Sequence, residues 1–134
     1  MAGMKREELK AYIEETYGVK PDYPWAQFPN YMVFRHQGSR KWFAVAMDVP
    51  PEKFGLPEGP ALDVVNVKCG PVAAGSFRKM PGVYPAYHLN KGHWLSVALK
   101  GGIDGETLRL LLDISFHLTA AKPRGRKAPP PGGG

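Results

Sequence analysis

Two stretches of this chain contain no carboxylate side chain, and both carry cations together with aromatic rings. The longer one, residues 64–103, includes the strings Asn-Val-Lys-Cys at 66–69 and Pro-Ala-Tyr-His-Leu-Asn-Lys-Gly-His-Trp at 85–94. The shorter one, residues 23–47, contains three cations between two aromatic runs. Cations beside polar and aromatic groups, with no acid between them, are typical of a surface that binds a polyanion. The pattern favours a nucleic-acid partner.

The candidate contacts fall into three groups. Two lysines of the longer stretch have flexible stems that could reach a phosphate, and three cations of the shorter stretch would form a second patch at a hairpin tip. Polar groups near the second string would add contacts to bases or phosphates. The candidate nucleic-acid-binding residues are Lys68, Lys91, Arg35, Arg40, Lys41, His88, Asn90 and His93.

Each candidate also has an ordinary structural explanation. A single lysine is often a solvated surface residue, and short acid-free gaps arise by chance. Asn90 precedes Lys-Gly, where asparagine is more often a turn former. Trp94 could stack on a base, but the favoured interpretation of Trp94, Trp42 and Trp25 is that they belong to the core.

Catalysis and metal binding have weaker support in the sequence. Cys69 with His88 and His93 could be imagined as a metal site or a nucleophilic pair, but no carboxylate or further cysteine lies near them in the sequence. There is no glycine-rich phosphate loop, nucleophile elbow or paired-carboxylate motif. A buried thiol is the favoured interpretation of Cys69. We expect no catalytic residue, no metal and no cofactor.

Length and composition predict one domain with a charged tail. The chain has 134 residues, one cysteine and a net charge of +6. Four cations without an acid lie in the Pro/Gly-rich segment 122–134, which leaves the rest at +2. We expect an ordered domain over residues 1–121 and a disordered basic tail over 122–134. The absence of an apolar run of about 20 residues, of a signal-like start and of a cysteine pair predicts a cytoplasmic protein without membrane contact.

Periodicity and turn residues predict the order of the elements. A helix is expected over residues 4–17 with Gly18 as its cap, then a hairpin that turns at 37–39 and a strand over 61–68. A short helix from 71, an extended segment at 83–88 and a strand at 94–99 follow. Asp104 is placed to cap a last helix whose two apolar sides should both be buried. Strands bracketed by helices indicate an α+β domain with helices on one face of an antiparallel sheet.

Several short motifs, in order along residues 4–122, resemble the MmcQ/YjbR family of small bacterial proteins. They are Pro24-Trp25, Tyr31 with Val33-Phe34, Asn66-Val67-Lys68-Cys69 with Pro71, Pro81-Gly82-Val83, and Tyr87-His88-Leu89-Asn90-Lys91 with His93-Trp94. The resemblance implies a single compact α+β domain with N- and C-terminal helices and a short middle helix, similar to frataxin-like and secretion-chaperone-like arrangements. The family is usually described as DNA-binding, without an established ligand or reaction.

Charge segregation and the resemblance together lead to one functional expectation. We expect a non-enzymatic protein that binds DNA or another nucleic acid weakly and largely without sequence preference, as a monomer or weak homodimer. The alternative is a protein-binding adaptor or chaperone-like module with no nucleic-acid role.

Overall fold

The computed structural model describes residues 4–87, 89, 92–100 and 102–120, and three α-helices and five β-strands follow one another within them. In chain order they are α1 (Arg6–Tyr17), β1 (Met32–Arg35), β2 (Trp42–Val49), a 3₁₀ helix (Pro51–Phe54), β3 (Leu62–Lys68), α2 (Gly70–Phe77), β4 (Val83–Pro85), β5 (Trp94–Ala98) and α3 (Gly105–Thr119). The predicted α+β class is confirmed. The predicted tail at 122–134 lies outside the described residues.

The helix ends follow from local chemistry. Gly18 adopts a left-handed conformation with φ of 70°, which a side chain would disfavour, and its N–H donates to Glu14 O at 3.0 Å. The Asp104 carboxylate accepts a 2.7 Å hydrogen bond from the Thr107 backbone N–H at the start of α3. This hydrogen bond lowers the pKa of Asp104. Both predicted caps are present.

All five strands form one antiparallel sheet in the order β1-β2-β3-β5-β4. The three helices pack on the same side, which we call the helix face. Its core joins apolar residues of every helix to inward-pointing residues of the strands; examples are Leu9, Ala74, Leu111, Phe34, Val65 and Val97. Burying this apolar surface is the main favourable contribution to folding.

A β-bulge interrupts the pairing of β2. Phe34 pairs with Ala44 and Arg35 with Trp42, so Phe43 has no direct partner on β1. The extra residue reverses the alternation of side chains. Phe43 and Ala44 therefore both pack on the helix face, whereas Trp42 lies on the opposite face.

The buried hydroxyl of Ser115, on α3, links the two central strands beside this bulge. It donates a 2.6 Å hydrogen bond to Phe43 O and accepts a 2.9 Å hydrogen bond from the Lys68 backbone N–H. The paired residues of β2 and β3 extend only to Ala44 and Val67, one residue short of Phe43 and Lys68. Ser115 thus satisfies two polar backbone groups where the ladder stops.

The prediction that both apolar sides of the last helix are buried is wrong. Only one side of α3 is buried, because Leu110 and Leu118 are each 51% exposed. The sheet lies on one side of this helix, and no further layer of the described residues covers the other. None of the helices in this part of the chain has the length and apolar character to cross a bilayer.

His36 is a buried polar group between the sheet and α3. Its Nε2 lies 2.9 Å from Thr119 Oγ1, and the Thr119 hydroxyl donates to Ser115 O at 2.7 Å. Because the threonine proton is used there, His36 Nε2 acts as the donor. The imidazole also packs 4.4 Å from the Phe116 ring, centroid to centroid.

We expect His36 to make the fold less stable as the pH falls. Burial lowers the pKa of His36; a hydrogen bond to the Phe116 backbone opposes this, and the charges of His117 and Lys41 reinforce it. A lowered folded-state pKa means that the unfolded chain binds more protons as the pH falls. The contribution of the neutral His36 ring to stability is therefore complete above about pH 6.5 and is lost as the pH falls below this value. Urea unfolding should give a lower free energy of unfolding at about pH 5.5 than at about pH 7.5.

The variant His36→Gln should show a smaller drop over the same pH range. His93→Gln is the matched control, because His93 lies immediately before β5, which is the third strand from β1 in the sheet. Equal pH slopes for His36→Gln and the wild-type protein would contradict the assignment.

Candidate nucleic-acid interface

The sheet face opposite the helices is covered by connecting segments, and we call it the loop face. In the described part of the chain no α-helix packs on it. Its buried strand residues are Val33, Val45, Met47, Val49, Val64 and Ala98. The side chains that cover them are mostly aromatic and partly exposed, namely Trp25, Tyr31, Trp42, Phe54, Tyr84 and Tyr87. This face therefore presents aromatic rings to solvent.

Cations and indole rings alternate along one end of the loop face. Arg35 lies opposite Trp42 across β1 and β2, and Lys68 lies opposite Trp94 across β3 and β5. Strand alternation places Lys68 and Trp94 on the same face as Asn66. The Arg35 guanidinium lies 5.6 Å from the Trp42 ring centroid, within cation–π range. We call Arg35, Trp42, Lys68 and Trp94 the cation–aromatic row.

The acidic strand residues lie at the other end of the sheet. Asp48 and Asp63 face each other where β2 ends and β3 begins, and Asp63 contacts Arg6 of α1 at 3.5 Å. The cation–aromatic row lies where β2 begins and β3 ends. Pairing of β2 with β3 thus brings the two carboxylate-free stretches side by side, with the acids of these strands at the far end.

One carboxylate from outside the strands does reach the row. Asp22 Oδ2 lies 2.6 Å from Arg35 Nε and 3.3 Å from Arg40 Nη2. An isolated antiparallel β-bridge pairs the backbone of Asp22 with that of Val33 on β1, which places the Asp22 carboxylate beside both arginines. The hairpin-tip cations are therefore partly neutralised, an arrangement that the sequence analysis did not anticipate.

Three of the remaining candidate contacts lie in the described part of the chain, and three lie outside it. Lys41 is exposed at the hairpin and Lys68 is partly buried at the end of β3, and neither has an ion pair among the described residues. The His93 carbonyl accepts hydrogen bonds from the backbone N–H groups of Cys69 and Gly70. The other three candidates, His88, Asn90 and Lys91, lie outside the described residues. A nucleic-acid role for the eight candidates stays a prediction.

Two buried polar side chains support the centre of the loop face. Asn66 Nδ2 donates a 3.1 Å hydrogen bond to Val45 O, and the Ser96 hydroxyl donates to Asn66 Oδ1. Ser96 Oγ in turn accepts a 3.0 Å hydrogen bond from the Tyr87 backbone N–H. Asn66 and Ser96 are fully buried, so these bonds hold β2, β3, β5 and the start of the 86–93 segment together.

The positions of the three tryptophans differ from those predicted. The sequence favoured core positions for Trp25, Trp42 and Trp94, but each is only partly buried. Trp25 packs edge-to-face on Trp42, with ring centroids 5.8 Å apart. The bulge at Phe43 turns Trp42 away from the helices, and Trp25 comes from a loop that crosses this face. Neither effect can be deduced from the spacing of apolar residues.

Cys69 lies on the helix face and is buried. Burial raises the pKa of its thiol, and the charge of Arg78 opposes this only partly. A thiol in this state is a weak nucleophile. No group of three His, Cys, Asp or Glu side chains within the described residues could hold a metal ion. The predicted buried thiol is confirmed.

Sequence reasoning missed two parts of this site. Asp22 was assigned no role, although its position before Arg35 and Arg40 was a possible signal. The segment 24–29 was interpreted as a loop and Tyr31 as the start of a strand, and no ring cluster was predicted from Trp25, Phe28 and Tyr31. These three residues cluster with Trp42 on the loop face.

The fold and the loop face define the class of protein: a small α+β domain whose antiparallel sheet has helices on one face and connecting segments with aromatic side chains on the other. The YjbR family model matches residues 14–118, which is most of the chain. The protein therefore belongs to the YjbR family.

Relatives of known sequence or structure agree with this assignment. The chain is 38% identical over 116 residues to the uncharacterized protein YyaQ of Bacillus subtilis, covering 87% of this chain and 98% of the relative. A crystal structure of a Pseudomonas syringae protein is 44% identical with a TM-score of 0.85, covering 87% of this chain and 100% of that one. A solution NMR structure from the same species is 42% identical with a TM-score of 0.83, covering 93% and 100%.

Proposed function

We propose that this protein binds nucleic acid weakly and largely without sequence preference through the loop face. The observation that carries the proposal is the cation–aromatic row, at the end of the sheet away from Asp48 and Asp63. Surfaces that bind nucleic acid combine cations for the phosphates with aromatic rings for the bases. The row offers both on a single face.

The cations would contact the phosphate backbone. Lys68, which lies in the row, is the main described contributor, and Lys41 would add a contact at the hairpin tip; neither is held by a carboxylate in the described part of the chain. Arg35 and Arg40 would contribute less while Asp22 pairs with both. Lys91 would add a phosphate contact, and His88, Asn90 and His93 would add polar contacts; these are the remaining candidates.

The modest charge of the domain explains why binding should be weak. Apart from the four tail cations, the chain carries a net charge of only +2. Sequence-independent affinity comes mainly from phosphate neutralisation and falls with salt. We propose binding alone at this surface and no reaction; the buried Cys69 thiol lies on the helix face, away from it.

A salt titration with labelled duplex and single-stranded DNA tests the proposal. Five phosphate contacts would give a log–log slope of about −4.5, and pairing with Asp22 should make the measured slope shallower. Lys68→Gln should weaken binding about tenfold at about 50 mM salt, equally for all sequences, and reduce the slope by about 1. Arg109→Gln, which removes an exposed cation on α3, is the control. Absence of binding at low salt, or equal losses in both variants, would contradict the proposal.

Asp22→Asn should strengthen binding. The change removes the carboxylate that holds Arg35 and Arg40, so both guanidinium groups become available for phosphates, and the salt slope should steepen by about 1. Asp113→Asn is the control because it makes the same charge change on α3, where Asp113 pairs with His117 at 3.3 Å. A gain that is equal in the two variants would show a general charge effect rather than a defined surface.

A protein-binding role is the second candidate function. The exposed side chains of Leu110 and Leu118 on α3 favour it, because they lie on the side of this helix that the sheet does not cover, away from the loop face. A partner captured from lysate despite nuclease treatment, and lost in Leu110→Ser, would support this role. The nucleic-acid titrations above should be unaffected by the same substitution.

A further inference from the structure

A pocket on the loop face lies directly beside the cation–aromatic row. Its volume is about 390 Å³, at the lower end of the range of about 300–1,000 Å³ that small-molecule sites occupy. The side chains that line it are Trp25, Phe28, Tyr31, Trp42, Val45, Met47 and Leu89. Most of them are aromatic and none is charged, so the pocket suits a single apolar or planar ring system.

The rings of the pocket are held in a fixed arrangement. Trp25 packs edge-to-face against both Trp42 and Tyr31, with ring centroids 5.8 Å apart in each pair. Phe28 stacks on Tyr31 at 4.7 Å, with an interplanar angle of 14°. Phe28 is nevertheless 47% exposed, so its ring borders the opening rather than the floor. The floor consists of Val45 and Met47 on β2.

The charges around the pocket are unequal at its two ends. At the Trp42 end, the Arg35 guanidinium lies over the indole ring. The Nε–H of Arg35 donates a hydrogen bond to the Asp22 carboxylate. At the opposite end, burial and then the charge of Asp48 raise the pKa of Tyr31. An anionic group attached to a ring in the pocket would therefore be favoured at the Trp42 end.

We propose that this pocket takes one unstacked base of a single-stranded nucleic acid, with the adjoining phosphate at Arg35 or Lys68, the two cations of the cation–aromatic row that lie on either side of Trp42. This inference rests on the proposed function and adds a preference for single strands. In a duplex the bases are stacked and paired, so the pocket stays empty and only backbone contacts remain.

Charge complementarity favours a base over an apolar side chain of a protein. An isolated apolar pocket would accept either ligand, but this pocket adjoins Arg35 and the row, where each base of a single strand is accompanied by a phosphate. Stacking on aromatic side chains is tolerant of base identity, which agrees with weak sequence preference. Losing one stacking ring weakens binding about 5- to 150-fold.

Polarisation binding measurements with a labelled mixed-sequence 12-mer, alone and in its duplex, test the inference. The variant is Phe28→Ala and the matched control is Tyr23→Ala, since Tyr23 is an exposed aromatic of the same loop outside the pocket. The wild-type protein should prefer the single strand. Phe28→Ala should lose about 5- to 20-fold for the single strand and less than about twofold for the duplex, and Tyr23→Ala should change neither.

The possible failures are distinguishable. Equal affinity for both forms, or equal losses in the two variants, overturns the pocket assignment and leaves the proposed function standing. Absence of binding to either form overturns both. Binding of an uncharged leucine-rich peptide that depends on Phe28, with no Phe28 dependence for the single strand, overturns the inference in favour of a protein ligand.

Tryptophan fluorescence gives a second readout that uses only the wild-type protein, so it does not depend on the folding of a variant. Trp25 and Trp42 line the pocket, so a stacked base should quench their emission. The single strand should quench more strongly than the duplex at equal saturation. Equal quenching, or none, would overturn the pocket assignment.

Discussion

The hydroxyl of Ser115 holds together the region on which the candidate site depends. It bridges Phe43 of β2 and Lys68 of β3 from the helix side, one residue beyond the last β2–β3 pair and beside the bulge of β1 and β2. The bulge turns Trp42 away from the helices and onto the loop face. Lys68 takes its position from the same bridge, because its own backbone N–H is the donor. A helix-side hydrogen bond therefore sets the arrangement of rings and cations on the opposite face.

The balance of charges shows why aromatic contacts should matter as much as cations. Asp22 pairs with two arginines that would otherwise strengthen phosphate binding, and it lies beside the row rather than at the acidic end of the sheet. The same ion pair holds Arg35 over the Trp42 ring. Asp22 thus lowers the local positive charge while it positions a cation beside the pocket. Such a surface would bind a polyanion weakly and gain selectivity from the rings.

Local sequence signals predicted the scaffold well. The spacing of apolar residues and the capping residues Gly18 and Asp104 indicated the first and last helices, because these effects act within a few positions along the chain. Strand order, the bulge and the position of Trp42 on the loop face depend on contacts between distant segments. The pairing of Asp22 with Arg40 and the hydrogen bond of Asn66 to Val45 are likewise invisible to periodicity. The candidate cations were identifiable from charge segregation, but their degree of neutralisation was not.

Under the proposed function, nucleic acid binds the loop face and leaves the helix side untouched. All three tryptophans lie on the loop face, so their indole N–H signals in ¹H–¹⁵N NMR spectra report on it directly. Titration with a short single strand at low salt should shift the signals of Trp25, Trp42 and Trp94, while the amides along the exposed side of α3 stay in place. Shifts confined to α1 and α3, with the indole signals unmoved, would contradict the account.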